Sequence, residues 1–248
     1  KMSVIQRSSN PAFSEKLFSK QGFASQGEAM TVQGTINKSI LLFVLLLIPA
    51  YMVWSQFDPE NPVVSPLTWV GLVGGLISAL VTIFKPTAAP IGAPVYAIFE
   101  GMFLGGVSVL FEMWYPGIAM QAIALTFGTM FSMLFLYKSG IIKVTERLRS
   151  GIMAATGAIF FVYMISWILS FFGSSIPMIH ESGMMGIGFS LLVIGIAAFN
   201  LLLDFDFIEK SAFNGSPKYM EWFGAFGLML TLVWLYLEFL RLLSKLRD

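Results

Sequence analysis

Seven apolar stretches, each close to 20 residues long and separated by short polar gaps, constrain this chain more than any other feature. An apolar helix of roughly 20 residues crosses about 30 Å of hydrocarbon. The chain is 56% hydrophobic and only 12% charged, whereas a soluble domain is about 25% charged. We therefore predict an all-α membrane protein with seven transmembrane helices, approximately Ile36–Trp54, Leu67–Phe84, Ile91–Phe111, Ile118–Tyr137, Gly151–Phe172, Met184–Leu203 and Trp222–Leu243.

The domain organisation is simple because no long linker divides the apolar stretches. Residues 1–35 are polar and contain both signs of charge, and we predict that they form a mostly disordered cytoplasmic tail. Turn-forming residues fill the later gaps, as in Tyr115-Pro116-Gly117. Residues 36–248 are therefore predicted to form a single multi-spanning transmembrane domain.

Lys and Arg are segregated between alternate loops. Of the 15 in the chain, twelve lie in the N-terminal tail and in the second, fourth and sixth loops, and the first, third and fifth loops have none. Short loops rich in Lys and Arg stay cytoplasmic, so we predict a cytoplasmic N-terminus. Arg241, Lys245 and Arg247 then lie on the opposite side, unless the last segment re-enters the membrane instead of crossing it. The sequence leaves both alternatives open.

Two pairs of glycines are spaced four residues apart within apolar segments, Gly71 with Gly75 and Gly101 with Gly105. This spacing places small residues on one helix face and lets neighbouring backbones approach closely. Ordinary helix packing is the simpler interpretation, and a glycine hinge is the alternative.

We single out four acids within or at the end of the apolar segments, because a charge inside such a segment costs roughly 2.5 to 3.5 kcal/mol on insertion scales. Glu100 lies midway along the third segment, Asp204 and Asp206 close the sixth, and Glu238 interrupts the last. Each has a structural interpretation beside a functional one. Glu100 could hold the bundle together through a hydrogen bond or ion pair, Asp204 and Asp206 could form a solvated helix end, and Glu238 could be an interfacial partner of Arg241 or Arg247.

Most enzyme classes lack their required residues. The chain has no Cys and one His, His180, which stands beside Glu181 in an outer loop, so no His-rich metal site or Ser-His-Asp arrangement is available. No phosphate-binding Gly-Lys-Ser or Gly-Lys-Thr loop occurs. An intramembrane aspartyl protease would need two facing acids, such as Asp204 and Glu238, but the motifs around those acids do not match. We predict a protein that is not an enzyme, has no cofactor and has no nucleic-acid partner.

Several segments resemble one protein family. They are 30–38 before the first helix, 96–101 with its Glu-Gly pair, 203–209, 216–222 and 235–243. They are similar to the Bax inhibitor family of membrane proteins, in particular its bacterial YccA-like branch. The resemblance covers nearly everything after Met30.

The resemblance implies a fold and an activity. The fold is a bundle of six helices around a central seventh, in a bacterial inner membrane. The activity is a passive, pH-sensitive calcium leak, in which Asp204 and Glu238 form an ion-sensing and proton-sensing pair and contribute ligands to calcium. The family often has Asp where this chain has Glu238. Glu100 and Asp206 are expected to be supporting polar residues, and the expected partners are lipid, protons and calcium ions.

Two close carboxylates in a low dielectric do not both ionise readily, so one of them keeps a proton. Calcium takes oxygen ligands and competes with that proton, so we expect cation affinity to rise with pH. A different role is also implied by the YccA-like resemblance: a regulator that binds a membrane-embedded protease, in which the N-terminal tail carries recognition and the buried acids hold structure.

Overall fold

The computed structural model of the protein describes residues 29–56, 66–172 and 183–248. Within them lie seven helices that are long and apolar enough to cross a membrane, which confirms the predicted number of spans. The helices are α1 (Val32–Ser55), α2 (Pro66–Phe84), α3 (Ala89–Trp114), α4 (Ile118–Lys138), α5 (Glu146–Ser170), α6 (Met184–Phe213) and α7 (Met220–Arg247).

Several helix boundaries differ from the prediction, including the start of α5 at Glu146 and the end of α7 at Arg247, and two of the differences bear on the candidate site. Helix α1 begins at Val32, because Thr31 caps it by accepting a hydrogen bond from the Gly34 backbone N–H. The predicted end of the disordered tail at residue 35 therefore falls inside a helix, and residues 1–28 of that predicted tail lie outside the described part of the chain. Helix α6 continues past Leu203 to Phe213, because Phe205 and Ile208 still face the core. Asp204 and Asp206 are thus in the body of a helix, not at its end.

Helix α7 occupies the centre of the bundle. It is the most buried of the seven helices, and α5 is the least. It packs against α1, α3, α4 and α6 and is hydrogen-bonded to α5. It is one unbroken helix of 28 residues, about 42 Å long at 1.5 Å per residue. This length favours the crossing over the re-entrant alternative and agrees with the expected central seventh helix.

The paired glycines lie where helices touch, as the packing interpretation predicts. A Cβ atom on Gly71 would lie 2.6 Å from the backbone of Phe99 in α3. A Cβ atom on Gly105 would lie 2.5 Å from the carbonyl oxygen of Ala50 in α1, and one on Gly101 would overlap the carbonyl oxygen of Leu46. The glycines therefore let α3 contact both α1 and α2 backbone to backbone.

The outer surface of the bundle is apolar. Large hydrophobic side chains point outward from α1, α2 and α5, and examples are Leu47, Leu76, Phe160 and Trp167, each more than half exposed. A soluble protein would bury such side chains, and a protein in lipid exposes them to hydrocarbon. Most buried charges lie on or against α6 and α7, where the candidate site is found.

Candidate functional site

Glu238 is a buried carboxylate in the last third of α7. Its side chain is 2% exposed. Its Oε1 atom accepts a hydrogen bond of 2.8 Å from the Tyr163 hydroxyl of α5 and one of 2.9 Å from Arg241. Its Oε2 atom is buried and has no hydrogen-bond partner. Glu238 thus does pair with Arg241, as the interfacial interpretation expects, but it lies inside the bundle.

Asp204 lies on α6 and accepts a hydrogen bond of 2.6 Å from the Thr231 hydroxyl of α7. Thr231 and Glu238 are seven residues apart on the same helix, which corresponds to about 10 Å along its axis. The two acids therefore bind different partners at different depths. Their action as one ion-sensing and proton-sensing pair stays a prediction.

Polar side chains recur at intervals of seven residues along α7, at Thr231, Glu238 and Lys245. Seven residues make almost two helical turns, so the three share one face. Their partners lie on the neighbouring helices: Asp204 on α6, Tyr163 on α5, and Ser190 of α6 with the Gly186 carbonyl oxygen, both 3.0 Å from the Lys245 ammonium. We call these six side chains, Thr231, Glu238, Lys245, Asp204, Tyr163 and Ser190, the polar file.

Helix α5 is attached to the bundle by polar contacts with the same spacing. Arg149 forms an ion pair of 2.5 Å with Asp206, Thr156 accepts a hydrogen bond of 2.8 Å from the Asn200 side-chain amide, and Tyr163 donates to Glu238. These three α5 residues are seven apart and share one face. Because α5 buries few apolar side chains, they are the main specific contacts that fix its position.

The two supporting acids have separate surroundings. Asp206 is buried and forms ion pairs with Arg149 and, at 2.8 Å, with Lys210. Glu100 is buried on α3 near Tyr96 and faces Gly75 of α2. Asp206 therefore helps to hold α5 on α6, whereas Glu100 belongs to the interface between α2 and α3.

A fifth acid, Glu221, has the most complete set of partners among those described. It is fully buried at the start of α7 and accepts hydrogen bonds of 2.9 Å from both the backbone N–H and the hydroxyl of Thr31. It also pairs with Lys38 at 2.5 Å and with Lys218 at 2.7 Å. We call this group of residues, Thr31, Lys38, Lys218 and Glu221, the Glu221 clamp.

The clamp joins two of the segments on which the family resemblance rests, 30–38 and 216–222. The backbone of Met30 donates a hydrogen bond of 2.7 Å to the Ser216 carbonyl oxygen, and Ala29 forms a β-bridge with Pro217. A side chain on Gly34 would overlap the Glu221 carboxylate. The chain just before α1 is therefore fixed to the connection between α6 and α7.

The basic residues at the end of α7 are paired within the bundle. Arg241 binds Glu238, and Lys245 binds Gly186 and Ser190. Arg247 donates hydrogen bonds of 2.9 Å to the Pro116 carbonyl oxygen and to the Gln121 side chain. These contacts explain why a basic cluster is tolerated at the end of the bundle opposite the other Lys and Arg residues.

The predicted metal role of Asp204 and Glu238 can be compared with the donors around them. Calcium takes about six to eight oxygen ligands. Across the described ranges, no group of three or more His, Asp or Glu side chains converges; His180 and Glu181 lie outside those ranges. The calcium role of Asp204 and Glu238 therefore stays a prediction.

Sequence reasoning found the acids of the polar file but missed most of their partners. Thr231, Tyr163 and Ser190 are ordinary polar residues in apolar helices, and Glu221 stands in a turn-rich segment where a solvated acid is expected. The usable signal is the interval of seven, which links Arg149, Thr156 and Tyr163 on one helix and Thr231, Glu238 and Lys245 on another.

A comparison with protein families gives one match. The family described as Bax inhibitor 1 like matches residues 10–248 of the chain, which include all seven helices. The match supports the resemblance to Bax inhibitor proteins, and the YccA-like branch stays a prediction. No curated protein matches the chain, and no solved structure does so either.

Proposed function

Because the chain belongs to the Bax inhibitor 1 like family, we propose that it forms a pH-sensitive leak for calcium or a similar cation across the membrane. The ion path follows the polar file between α5, α6 and α7. Asp204 and Glu238 are its ion-sensing and proton-sensing residues, and they act from two successive positions along α7.

The Glu238 carboxylate carries this proposal. It is 1% exposed, and its Oε2 atom is buried without a hydrogen-bond partner. A buried carboxylate oxygen without a partner is costly, and a proton or a cation would satisfy it. The polar file supplies the Asp204 and Thr231 oxygens on one side of this position and the Ser190 hydroxyl, beside the Lys245 ammonium, on the other. Hydroxyl and carboxylate oxygens are the ligands that hard cations prefer.

We further propose that the protein lies in a bacterial inner membrane and that the end of the bundle with the Glu221 clamp faces the cytoplasm. Lys38, Lys85, Lys138, Lys143, Arg147 and Arg149 lie at or near that end. Their concentration there is the charge distribution of a cytoplasmic face. A cysteine introduced at Lys143 is expected to react with a membrane-impermeant thiol reagent only after the cells are opened, and the chain has no other Cys. Labelling in intact cells would contradict this orientation.

The leak is tested with the full chain in liposomes that contain a calcium indicator. Glu238→Gln and Asp204→Asn keep the size of each side chain and remove its charge and its titration. We expect each change to lower calcium flux at alkaline pH by about tenfold, which corresponds to about 1.4 kcal/mol of lost interaction with the cation. We also expect the difference in flux between acidic and alkaline pH to disappear.

Glu146→Gln is the matched control, because Glu146 is an exposed acid in the first turn of α5. It removes the same charge without touching the polar file, and flux should keep its size and its pH dependence. A wild-type response in both Glu238→Gln and Asp204→Asn would contradict the leak path. If Glu146→Gln also removes the pH dependence of calcium flux, that result would contradict the assignment of the pH dependence to the polar file.

A second candidate function is modulation of a membrane-embedded protease. The Glu221 clamp supports it, because it connects the segment before α1 to the central helix α7. A partner bound to the tail would therefore act on a segment that is hydrogen-bonded directly to Glu221 of α7.

Deleting residues 2–28 tests this role without removing the clamp, whose first residue is Thr31, or the bridge of Ala29 to Pro217. If the tail carries recognition, the deletion abolishes the effect on protease activity in proteoliposomes while calcium flux is kept. If the protein without residues 2–28 still modulates the protease fully, that result would contradict recognition by the tail. Lys16→Ala together with Lys20→Ala, within the intact tail, shows whether charge or length is needed.

A further inference from the structure

Helices α1 and α4 leave a groove between them on the lipid-facing side of the bundle. Its larger part has a volume of about 520 Å³, and residues of α6 and α7 form its base. A smaller cavity of about 130 Å³ continues it beyond Phe43 and Phe127, which line both parts. The rings of Phe43 and Phe127 are 6.0 Å apart and divide the groove. The walls are almost wholly apolar.

The larger part has the depth of one leaflet. It runs from Val32 to Phe43 on α1 and from Lys138 to Phe127 on α4, which is about 16 Å along each helix at 1.5 Å per residue. Half of a hydrocarbon core about 30 Å thick is about 15 Å. An acyl chain of one leaflet therefore fits between the two helices, with its headgroup at the end marked by Lys138.

That end of the groove carries one cation and one anion. Lys138 and Glu209 form an ion pair of 3.4 Å, and their side chains are 59% and 50% exposed. The Tyr137 hydroxyl donates a hydrogen bond of 2.6 Å to the other Glu209 oxygen. An exposed pair this long contributes little to stability, so both charges remain available to a ligand at the membrane surface.

We propose that the groove between α1 and α4 binds a phospholipid with a phosphoethanolamine headgroup. The lipid phosphate pairs with Lys138, the primary ammonium donates hydrogen bonds to Glu209, and one acyl chain fills the larger cavity. The two new charge-assisted contacts replace the weak pair between Lys138 and Glu209. This binding does not depend on ion flux.

The headgroup preference follows from the two charges. Phosphatidylcholine carries a phosphate, but its quaternary ammonium has no N–H to donate to Glu209. Phosphatidylglycerol carries a phosphate and glycerol hydroxyls but no cation, so Glu209 gains only a neutral donor and repels the phosphate. Phosphatidylethanolamine alone among these three supplies an oppositely charged hydrogen-bonding partner for each side chain.

The test is native mass spectrometry of the delipidated full chain, titrated with the three lipids carrying identical acyl chains. Phosphatidylethanolamine is expected to be retained at about tenfold lower concentration than either of the others. Glu209→Gln should lower this preference to the level of phosphatidylcholine. Lys138→Ala should weaken retention of phosphatidylethanolamine about tenfold. Lys143→Ala, which removes an exposed lysine nearby but outside the groove, should change nothing.

A second pair of variants tests the apolar part of the groove. Leu134 lines the cavity, so Leu134→Trp should fill it and lower the retention of all three lipids. Its neighbour Phe135 is 67% exposed and does not line the groove, so Phe135→Trp should keep wild-type retention. Equal retention of the three lipids, or an unchanged preference in Glu209→Gln, would overturn the proposal. Loss of a protein dimer instead of a lipid in Leu134→Trp would show that a second copy covers the groove, and would overturn it too.

Discussion

Replacing Glu221 by Ala is expected to lower the free energy of unfolding by about 3 to 5 kcal/mol, the range found when one partner of a buried ion pair is removed. The carboxylate is fully buried and satisfies Thr31, Lys38 and Lys218. Without it, Lys38, whose side chain is only 19% exposed, keeps only the Trp222 ring, 5.4 Å away. Two Thr31 donors also lose their acceptor, which frees the start of α1. Steric-trapping measurements in bicelles give the change.

Glu209→Ala is the matched control for this prediction. Glu209 also pairs with a lysine and accepts a hydrogen bond, but its side chain is 50% exposed. Water replaces its partners, so we expect a loss of about 1 kcal/mol or less. Glu221→Gln should fall between the two, because the amide oxygen still accepts from Thr31. Equal losses for Glu221→Ala and Glu209→Ala would mean that the clamp does not stabilise the fold.

Replacing Gly101 by Ala is expected to lower the free energy of unfolding by about 1 to 3 kcal/mol, as overpacking does in a tight core. The added Cβ would overlap the carbonyl oxygen of Leu46 and lie 2.8 Å from the Pro49 side chain. A backbone carbonyl does not swing away as a flexible side chain would, so α1 and α3 must separate. The loss should grow in a double variant with Gly105→Ala, because Gly105 faces the Ala50 carbonyl in the same interface.

Gly128→Ala shows what the same change does where there is room. Gly128 lies within α4, and a Cβ atom there would meet nothing within 4 Å. Ala favours a helix over Gly by about 0.8 to 1 kcal/mol, so stability should stay the same or increase. A loss in Gly128→Ala as large as in Gly101→Ala would contradict the packing explanation, because the close contact present only at Gly101 would then make no difference.

The helices were predictable because hydrocarbon imposes a minimum length on any apolar segment that crosses it. This rule predicts that six of the seven helices end, at their C-terminal side, near Trp54, Phe84, Phe111, Tyr137, Phe172 and Leu243. It fails at the end of α6, where Asp204 and Asp206 interrupt the apolar run although the helix continues to Phe213. Hydropathy indicates which part of a helix lies in hydrocarbon, and α6 extends beyond that part.

The candidate site was predictable only in part, because an acid in an apolar helix is conspicuous and its partner is not. Glu238 stands out in the sequence, but Tyr163, which donates to it, is 75 residues away on another helix. Asp204 is equally conspicuous, but nothing in the sequence singles out Thr231, which donates a hydrogen bond to it. Which polar residue faces which acid depends on helix rotation, and that is decided by packing along the whole bundle.

The central position of α7 also bears on how the protein is made. Synthesis proceeds from the N-terminus, so the insertion machinery releases α7 after the other six helices. The bundle partners of Glu221, Glu238 and Lys245 on other helices, such as Lys38, Tyr163 and Ser190, lie on helices that precede α7 in the chain. The ionisable side chains of α7 thus enter a bilayer in which the helices that carry their partners are already present, so these partners are available when polar groups move into hydrocarbon during assembly.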